Sequence, residues 1–465
     1  MFSANVYKQR RKRLKKDIKS GILLFLGNEE SPINYPDNCY VFRQDSSFLY
    51  FWGLDLPGLA AIIDIDAERD TLFGRDLTLE EKIWSGPQTA LKEHGFKSGV
   101  HDVAAFDRLE AELLQAKKKG RNIHFLPQYR PQNLIRIQEL MGIDATLANA
   151  SASGAFIRAV VAQRSIKTQE EIEQIEAALD ITYEMQILAM KMSQPGIYEK
   201  EVAGAMAGLS YSRGGAGLAF PIIFTVKGHI QHNPHHGNLM RAGDMIVSDC
   251  GAESAMHYAS DITRTFPVNG KFNQQQREIY SIVYEAQKKA IEDIRSGVEY
   301  RDVHFLACRD LCEGLKALGL IKGDVDAAVA AGAHALFMPG GLGHMLGLDV
   351  HDMEGLGEDC VGYTDQIQRS VQFGTCNLRL ARALESGFVI TVEPGLYFIP
   401  ELIDQCIAEK KFEEFIDYSK VEAYRNFGGI RIEDDVLVME DSRRVLGKPI
   451  PKSIEDVEAF SSQFL

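Results

Sequence analysis

Between residues 245 and 435 the chain carries five short segments in which an apolar or glycine-rich run meets a side chain able to bind a metal. They are Asp249 in IVSDCG, Asp261 in ASDITRTFP, His344 in GLGHMLGLDVHD, Glu393 in TVEPGLYF and Glu433 in GGIRIEDD. An acid that ends a buried β-branched run is costly unless it is paired or metal-bound. A fold that buries these runs has to pair their acids or give them a cation, unless they stand at edges facing solvent. Four carboxylates and one imidazole are a donor set for two adjacent divalent ions. The excess of oxygen suits Mn2+, with Zn2+, Co2+ and Fe2+ also compatible. Two such ions activate a shared water and polarise a carbonyl oxygen, so the pattern points to hydrolysis.

Local patterning supports the grouping. Met245-Ile246-Val247 predicts a strand running into Asp249, and Ile262 to Phe266 a second one leaving Asp261. A hairpin would set both carboxylates on one side of a sheet. Two acids held that close repel and one would protonate, unless a cation lies between them. Glycines at 340, 341, 343 and 347 around His344 suggest close backbone approach. Pro394-Gly395 forces a turn directly after Glu393. Strand alternation places Arg431 and Glu433 on one face, and Ile430 and Ile432 on the other. His94, His101, His124, His229, His257, His304 and His334 lack such company and read as ordinary core or surface groups.

Bulk properties exclude several classes. A net charge of −14 disfavours a nucleic-acid partner. No apolar run approaches membrane-spanning length, and the N-terminus lacks the order of a secretory signal. Seven scattered cysteines fit a reducing, cytoplasmic setting better than a disulfide framework. Cys308 and Cys312 are one helical turn apart with no second pair at zinc-finger spacing, so they read as buried thiols. The basic run from Lys8 to Lys16 reads as a solvated helix face, with Val6, Leu14 and Ile18 on its apolar side. GGAG at 214–217 lacks both the Lys-Ser/Thr of a phosphate loop and the spacing of a dinucleotide fingerprint.

A length of 465 residues suggests at least two domains. In the first, Ile22–Leu26, Ser47–Trp52 and Leu59–Ile65 look like strands, and Phe106–Lys118 like a helix. This is an α/β domain with a central sheet, assigned to 1–165. The remainder, 166–465, opens with a helix from Thr168 to Pro195-Gly196, with Glu171 as capping-box partner. A second helix runs from Asn273 to Ser296-Gly297. After each comes a similar continuation, Gly196-Ile197 to Glu201-Val202 and Gly297-Val298 to Asp302-Val303, offset by 101 residues. That offset suggests a duplication whose halves face each other across a shared site.

With these motifs in this order, the chain resembles the pita-bread metallopeptidases of the aminopeptidase P and prolidase branch. FRQDSSFLYFWGLDLPG (42–58) resembles the branch's N-terminal domain. SDITRTFPVNGKF (260–272), GLGHMLGLDVHD (341–352), TVEPGLYF (391–398) and GGIRIEDD (428–435) resemble its catalytic domain. The resemblance implies an α/β (α+β) fold: an N-terminal domain, then a pita-bread catalytic domain with pseudo-twofold duplicated halves. It implies that Asp249 chelates one ion, that His344 and Glu393 hold the other, and that Asp261 and Glu433 bridge the two. His351 and His232 match substrate-contacting catalytic histidines, and Arg431 an arginine beside the bridging glutamate. Arg379 matches a prolidase arginine that binds a dipeptide's carboxylate, though both Arg379 and Arg382 also read as loop charges. Three departures stand out. Gly340 replaces the first histidine of the usual HGLGH, the Asp249–Asp261 spacing is one residue longer than in many relatives, and His235 and His236 are extra and read as structural.

The implied activity is removal of the first residue from peptides with proline in second position, by an Xaa-Pro aminopeptidase. A prolidase restricted to dipeptides is the alternative, and a silent pita-bread binding module the reading of a different class. Glu393 is the implied general base and proton shuttle. A homodimer or higher homo-oligomer is implied as well.

Overall fold

The computed structural model describes residues 1–464. The chain divides into two compact units. One holds Met1–Arg164 with Glu354–Cys360, the other Ser165–Met353 with the chain from Val361 onward.

In the first unit five strands form one sheet, ordered Asp102–Ala105, Arg69–Gly74, Ala60–Asp64, Ile22–Leu26, Ile123–Phe125. The three inner strands pair antiparallel and each edge strand pairs parallel with its neighbour. Every residue of Ile22–Leu26 and Ala60–Asp64 is buried, which explains their unbroken apolar character. Leu24, Ile62 and Phe73 share a core cluster with Leu109 and Leu113 of the helix Asp107–Lys118 and Ile137 of the helix Pro131–Met141.

Two expectations fail here for physical reasons. Ser46–Trp52 is a helix, not a strand. Asp45 caps its start by accepting from the Phe48 backbone N–H at 2.9 Å, and Gly53, at φ +67°, ends it in the left-handed region. Since all seven residues are buried, their apolar run has no period to distinguish helix from strand. The basic helix Ala4–Asp17 is also more than a solvated face, because Arg10 and Arg11 are buried on it. Their guanidiniums donate to the Tyr50 and Phe51 carbonyls at 2.9 and 2.8 Å. Those carbonyls lie at the end of a helix, where no intrahelical donor remains. Arg11 also pairs with Asp70 at 2.8 Å and lies 4.6 Å over the Trp52 ring.

The second unit is led by two helix pairs, Gln169–Met192 with Glu199–Ser212 and Gln274–Asp293 with Tyr300–Ala317. The first helix of each pair starts on a capping-box sequence: at Asn273/Gln276 each side chain accepts from the other residue's backbone N–H, and at Thr168/Glu171 the Glu171 carboxylate accepts from the Thr168 N–H at 3.1 Å. Four small sheets accompany the helices, the shortest pairing Gly217–Leu218 with Ala252–Glu253. Ile223–Thr225, Met245–Cys250 and Ile262–Pro267 form one, with Met245–Cys250 central. Val389–Val392, Asp434–Val438 and Arg443–Val445 form the second, and Gly395–Tyr397 with Gly429–Arg431 the third. The chain thus leaves one sheet and enters another twice, at Glu393-Pro394 and at Ile432-Glu433. Among the described residues no helix is long and apolar enough to cross a membrane.

The buried arginine makes the first unit separately testable. Both tryptophans, Trp52 and Trp84, lie in it, so tryptophan fluorescence follows its unfolding alone. Arg11→Met is expected to lower its stability by about 3 kcal/mol, because it takes their donor from the Phe51, Ser98 and Gly99 carbonyls and leaves Asp70 to Lys15. Lys12→Ala, at an exposed position of the same helix, should change it by under ~0.5 kcal/mol. Equal urea midpoints for the two variants would contradict this account.

Candidate metal centre

Asp249 is the penultimate residue of Met245–Cys250, opposite Thr263 in the antiparallel ladder. Asp261 immediately precedes Ile262–Pro267, and its backbone N–H donates to Asp435 Oδ2 at 3.0 Å. Glu393 and Glu433 occupy the two sheet-switching breaks, where the backbone turns away and the side chain does not have to follow the pleat. Glu433 N–H donates to the Thr263 carbonyl at 3.1 Å, which ties its break to the Asp261 strand.

His344 is set by its backbone. Its N–H donates to Thr391 Oγ1 at 3.1 Å, and its carbonyl accepts from the Thr391 N–H at 3.0 Å. Nδ1 lies 3.0 Å from the Met345 carbonyl, so that nitrogen carries the proton and Nε2 keeps its lone pair. Nε2 sits 3.4 Å from Glu393 Oε1 and 3.6 Å from Asp261 Oδ2. Gly343 makes this approach possible, since a Cβ there would lie 2.1 Å from the Thr391 carbonyl oxygen. Gly340 has no such role. A Cβ there would meet only Gln231 Oε1, at 3.8 Å, so the expectation of close backbone approach fails at that position.

The electrostatics are those of an over-full acidic cluster. Burial, reinforced by Glu433 and Asp249, pushes Asp261 well above the usual carboxylate range. Burial, reinforced by Glu393 and Asp249, does the same to Glu433. Glu393 is also raised, chiefly by burial. His344 is lowered to about 4 by burial, which leaves its imidazole neutral. Arg379 opposes the negative charge on Glu393, and the guanidinium paired with the cluster is that of Arg431. It pairs with Asp249 Oδ2 through Nη2, and donates from Nη1 to Tyr397 Oη at 2.9 Å and from Nε to Thr263 Oγ1 at 3.0 Å. Thr263 in turn donates to Glu433 Oε2 at 2.7 Å.

The residues present fit a divalent metal. Asp249 Oδ1, Asp261 Oδ1 and Glu433 Oε1 are buried without a hydrogen-bond partner. Ligand atoms of Asp261, His344 and Glu433 lie within 4.8 Å of one another. Buried anionic oxygens with no donor call for a cation.

All five candidate ligands line one cavity of about 340 Å³. His232, His351, Arg379 and Arg431 line it too, so every residue selected from the sequence converges there. The His351 ring stands 4.4 Å from the His344 ring, centroid to centroid. His232 is on the exposed side of the cavity. Arg382 turns away to pair with Glu385 and cover Phe388. His236 Nε2 lies 3.0 Å from the Ile222 carbonyl.

Sequence reasoning missed several contributors. Thr263, Tyr397 and Asp435 brace the acids. Thr263 had a readable signal, because it is two residues past Asp261 on a strand and shares its face. The loop carrying His232 is held by Glu199, which is fully buried on another helix. Its carboxylate accepts from the Val226 and Asn238 backbone N–H groups at 2.8 and 3.1 Å, clamping both ends of the loop. Gln231, Asn377 and the apolar Phe220, Ile223 and Met338 complete the wall.

Comparison with known proteins identifies the family. Residues 173–440 match Metallopeptidase family M24, and residues 7–124 match the Aminopeptidase P, N-terminal domain. A human Xaa-Pro dipeptidase is 32% identical over 463 residues, covering 96% of this chain and 90% of the human one. The Escherichia coli (strain K12) Xaa-Pro aminopeptidase is 32% identical over 472 residues, covering 98% of each. The structure of aminopeptidase P from E. coli with the inhibitor Pro-Leu aligns with a TM-score of 0.81 at 30% identity, covering 100% of this chain and 99% of that one. The chain belongs to metallopeptidase family M24 and carries an N-terminal domain of the aminopeptidase P type.

Proposed function

We propose that the chain is an Xaa-Pro aminopeptidase, releasing the first residue of peptides that carry proline second, with two divalent ions, Mn2+ foremost. The observation that carries this reading is the single cavity in which four carboxylates, one neutral imidazole and two further histidines meet. Asp249, Asp261, His344, Glu393 and Glu433 would hold the ions, which when bound supply an activated water and a polarised scissile carbonyl. Relatives named Xaa-Pro aminopeptidase and Xaa-Pro dipeptidase support the proline requirement. The matching 101-residue offset of the helix pairs supports a duplicated catalytic domain.

The chain's own groups divide the remaining work. Arg431 holds Asp249 in place and offsets the repulsion among the acids. Glu393, open to the cavity at 23% side-chain exposure, receives the proton and passes it to the leaving proline nitrogen. His351 and His232 donate to the carbonyl oxygen as charge develops there. Phe220, Ile223 and Met338 offer an apolar wall to the pyrrolidine ring.

One observation favours a narrower second reading. Arg379 lines the cavity, where its guanidinium suits the C-terminal carboxylate of a dipeptide. Under that reading the chain is an Xaa-Pro dipeptidase.

Chelation should abolish hydrolysis and added Mn2+ restore it. Asp261→Asn and Glu433→Gln should each lose metal and more than ~100-fold in kcat/KM. Full activity in either variant overturns the assignment. Substrate length separates the two readings. Cleavage of Xaa-Pro-Xaa tripeptides supports the aminopeptidase, and cleavage of Xaa-Pro dipeptides alone supports the dipeptidase. In the second case Arg379→Gln should raise the dipeptide KM by ~10- to ~100-fold, the worth of a charge-assisted hydrogen bond. Glu199→Gln tests the loop clamp. It turns an amide donor toward backbone N–H groups, displaces His232 and should lower kcat by ~10- to ~100-fold while metal content stays at the wild-type level. Unchanged kcat would show that the loop keeps its place without the clamp.

A further inference from the structure

A second group of metal-binding side chains lies outside the cavity. The helix Tyr300–Ala317 and the 3-10 turn Ala333–Leu336 bring together His304, Cys308 and His334. His304 and Cys308 are one turn apart on the helix, and Cys308 Sγ lies 3.5 Å from His304 Nε2. The two imidazole rings are 6.1 Å apart between centroids, with planes crossed at 74°. One ligand atom from each residue lies within 4.8 Å of the other two. None of the three lines the catalytic cavity.

Burial makes the group unusual. His304 and Cys308 have no solvent exposure and His334 has 2%. Neither ring nitrogen of His334 has a hydrogen-bond partner. The Val329 backbone is close enough to favour the charged ring slightly, but not in hydrogen-bond geometry. A buried polar group without a partner is a cost that a lone-pair acceptor such as a metal ion removes.

We propose that His304, Cys308 and His334 form a second metal site, separate from the catalytic centre, for a soft thiophilic cation, Cu(I) in first place. Two imidazoles and a thiolate are soft donors, in contrast to the oxygen-rich catalytic set. Charge selects the valence. With Cys308 as thiolate and both imidazoles neutral, Cu(I) leaves no net charge in a fully buried space, whereas Zn2+ leaves one positive charge to be buried. Burial lowers His304 to about 3 and His334 to about 4, which keeps both rings in the lone-pair-donating form. Binding breaks the Cys308 S–H bond, forms one S–Cu bond and releases one proton to solvent, with no electron transferred. The ion would also pin the turn that leads into Phe337 and Met338, the latter in the catalytic cavity wall.

The test uses the full chain, stripped of metal by chelation. It is incubated anaerobically with Cu(I) as its acetonitrile complex, or with Zn2+ in a parallel sample, then desalted. Wild type should retain one more Cu(I) per chain than Cys308→Ala or His334→Gln. Its copper-edge X-ray absorption should contain both sulfur and imidazole scattering. Its melting temperature should rise by at least ~2 °C with Cu(I), and that of Cys308→Ala should not. Peptidase activity of Mn2+-loaded Cys308→Ala at the wild-type level verifies that the variant is folded. Equal copper content and equal melting in wild type and both folded variants overturns the site. Retention of Zn2+ in place of Cu(I) overturns the charge argument for the ion.

Discussion

Mutual repulsion among four clustered acids, three of them buried, is the constraint on which the second unit depends. Asp249, Asp261, Glu393 and Glu433 face the guanidinium of Arg431 and, at Glu393, that of Arg379, and three of the four leave an oxygen without a donor. Such a cluster is unfavourable as a piece of protein. Arg431 relieves part of it, and Asp261 and Glu433 relieve part by favouring protonation. The remainder is the driving force for cation binding. The family to which the chain belongs is one of metallopeptidases, and here that affinity takes the form of oxygens held short of partners.

Holding them requires a frame that the acids cannot disturb. The run Glu433-Asp434-Asp435 shows how this is arranged. Glu433 faces the cavity. Asp434 turns the other way, to Arg264 at 2.7 Å and Lys452 at 2.5 Å, with Gln287 donating to it at 2.8 Å. Despite its burial, those cations hold Asp434 below the usual carboxylate range. Asp435 accepts from the backbone N–H of Asp261. Arg264 also donates to the Glu433 carbonyl at 2.7 Å. Three consecutive acids thus serve three directions, and two of them fasten the strand that presents the third. Likewise, the buried pair Lys167–Asp352 at 3.1 Å anchors the residue after His351.

Much of this was legible in the sequence, because each candidate ligand stands where an apolar run stops. That juxtaposition is a local signal, and it picked out the five candidate ligands, whereas His232, His351, Arg379 and Arg431, which line the same cavity, were matched through the family resemblance. What escaped were groups whose meaning comes from distant partners. Glu199 looks like any acid in a first helical turn until the loop ends at Val226 and Asn238 close onto it. Arg10 and Arg11 look like members of a solvated basic stripe until the Tyr50 and Phe51 carbonyls meet them. Ser46–Trp52 was misread because complete burial erases period. Cys308 looked idle because its companion His334 is 26 residues further along the chain, outside any spacing rule for metal sites.

The two kinds of glycine around His344 separate what the fold demands from what the substrate meets. Gly343 is fixed by backbone, since any side chain there collides with Thr391 and Tyr300. Gly340 is bounded by open cavity and the distant end of Gln231. Its lack of a side chain is therefore not a requirement of folding or of the acidic cluster. It enlarges the wall that also contains Asn377 and Arg379. In this chain the metal-facing half of the cavity is over-determined by buried pairs, while the half that would meet the leaving group is bounded by partly exposed loop side chains. On the proposed reading, uncharged changes in that second half, as at Gly340 or Asn377, would alter what is bound while leaving the charges around the acids in place. Substrate length would then be set by these loops, whereas the acids that would hold the metal are placed by the strands and the breaks between them.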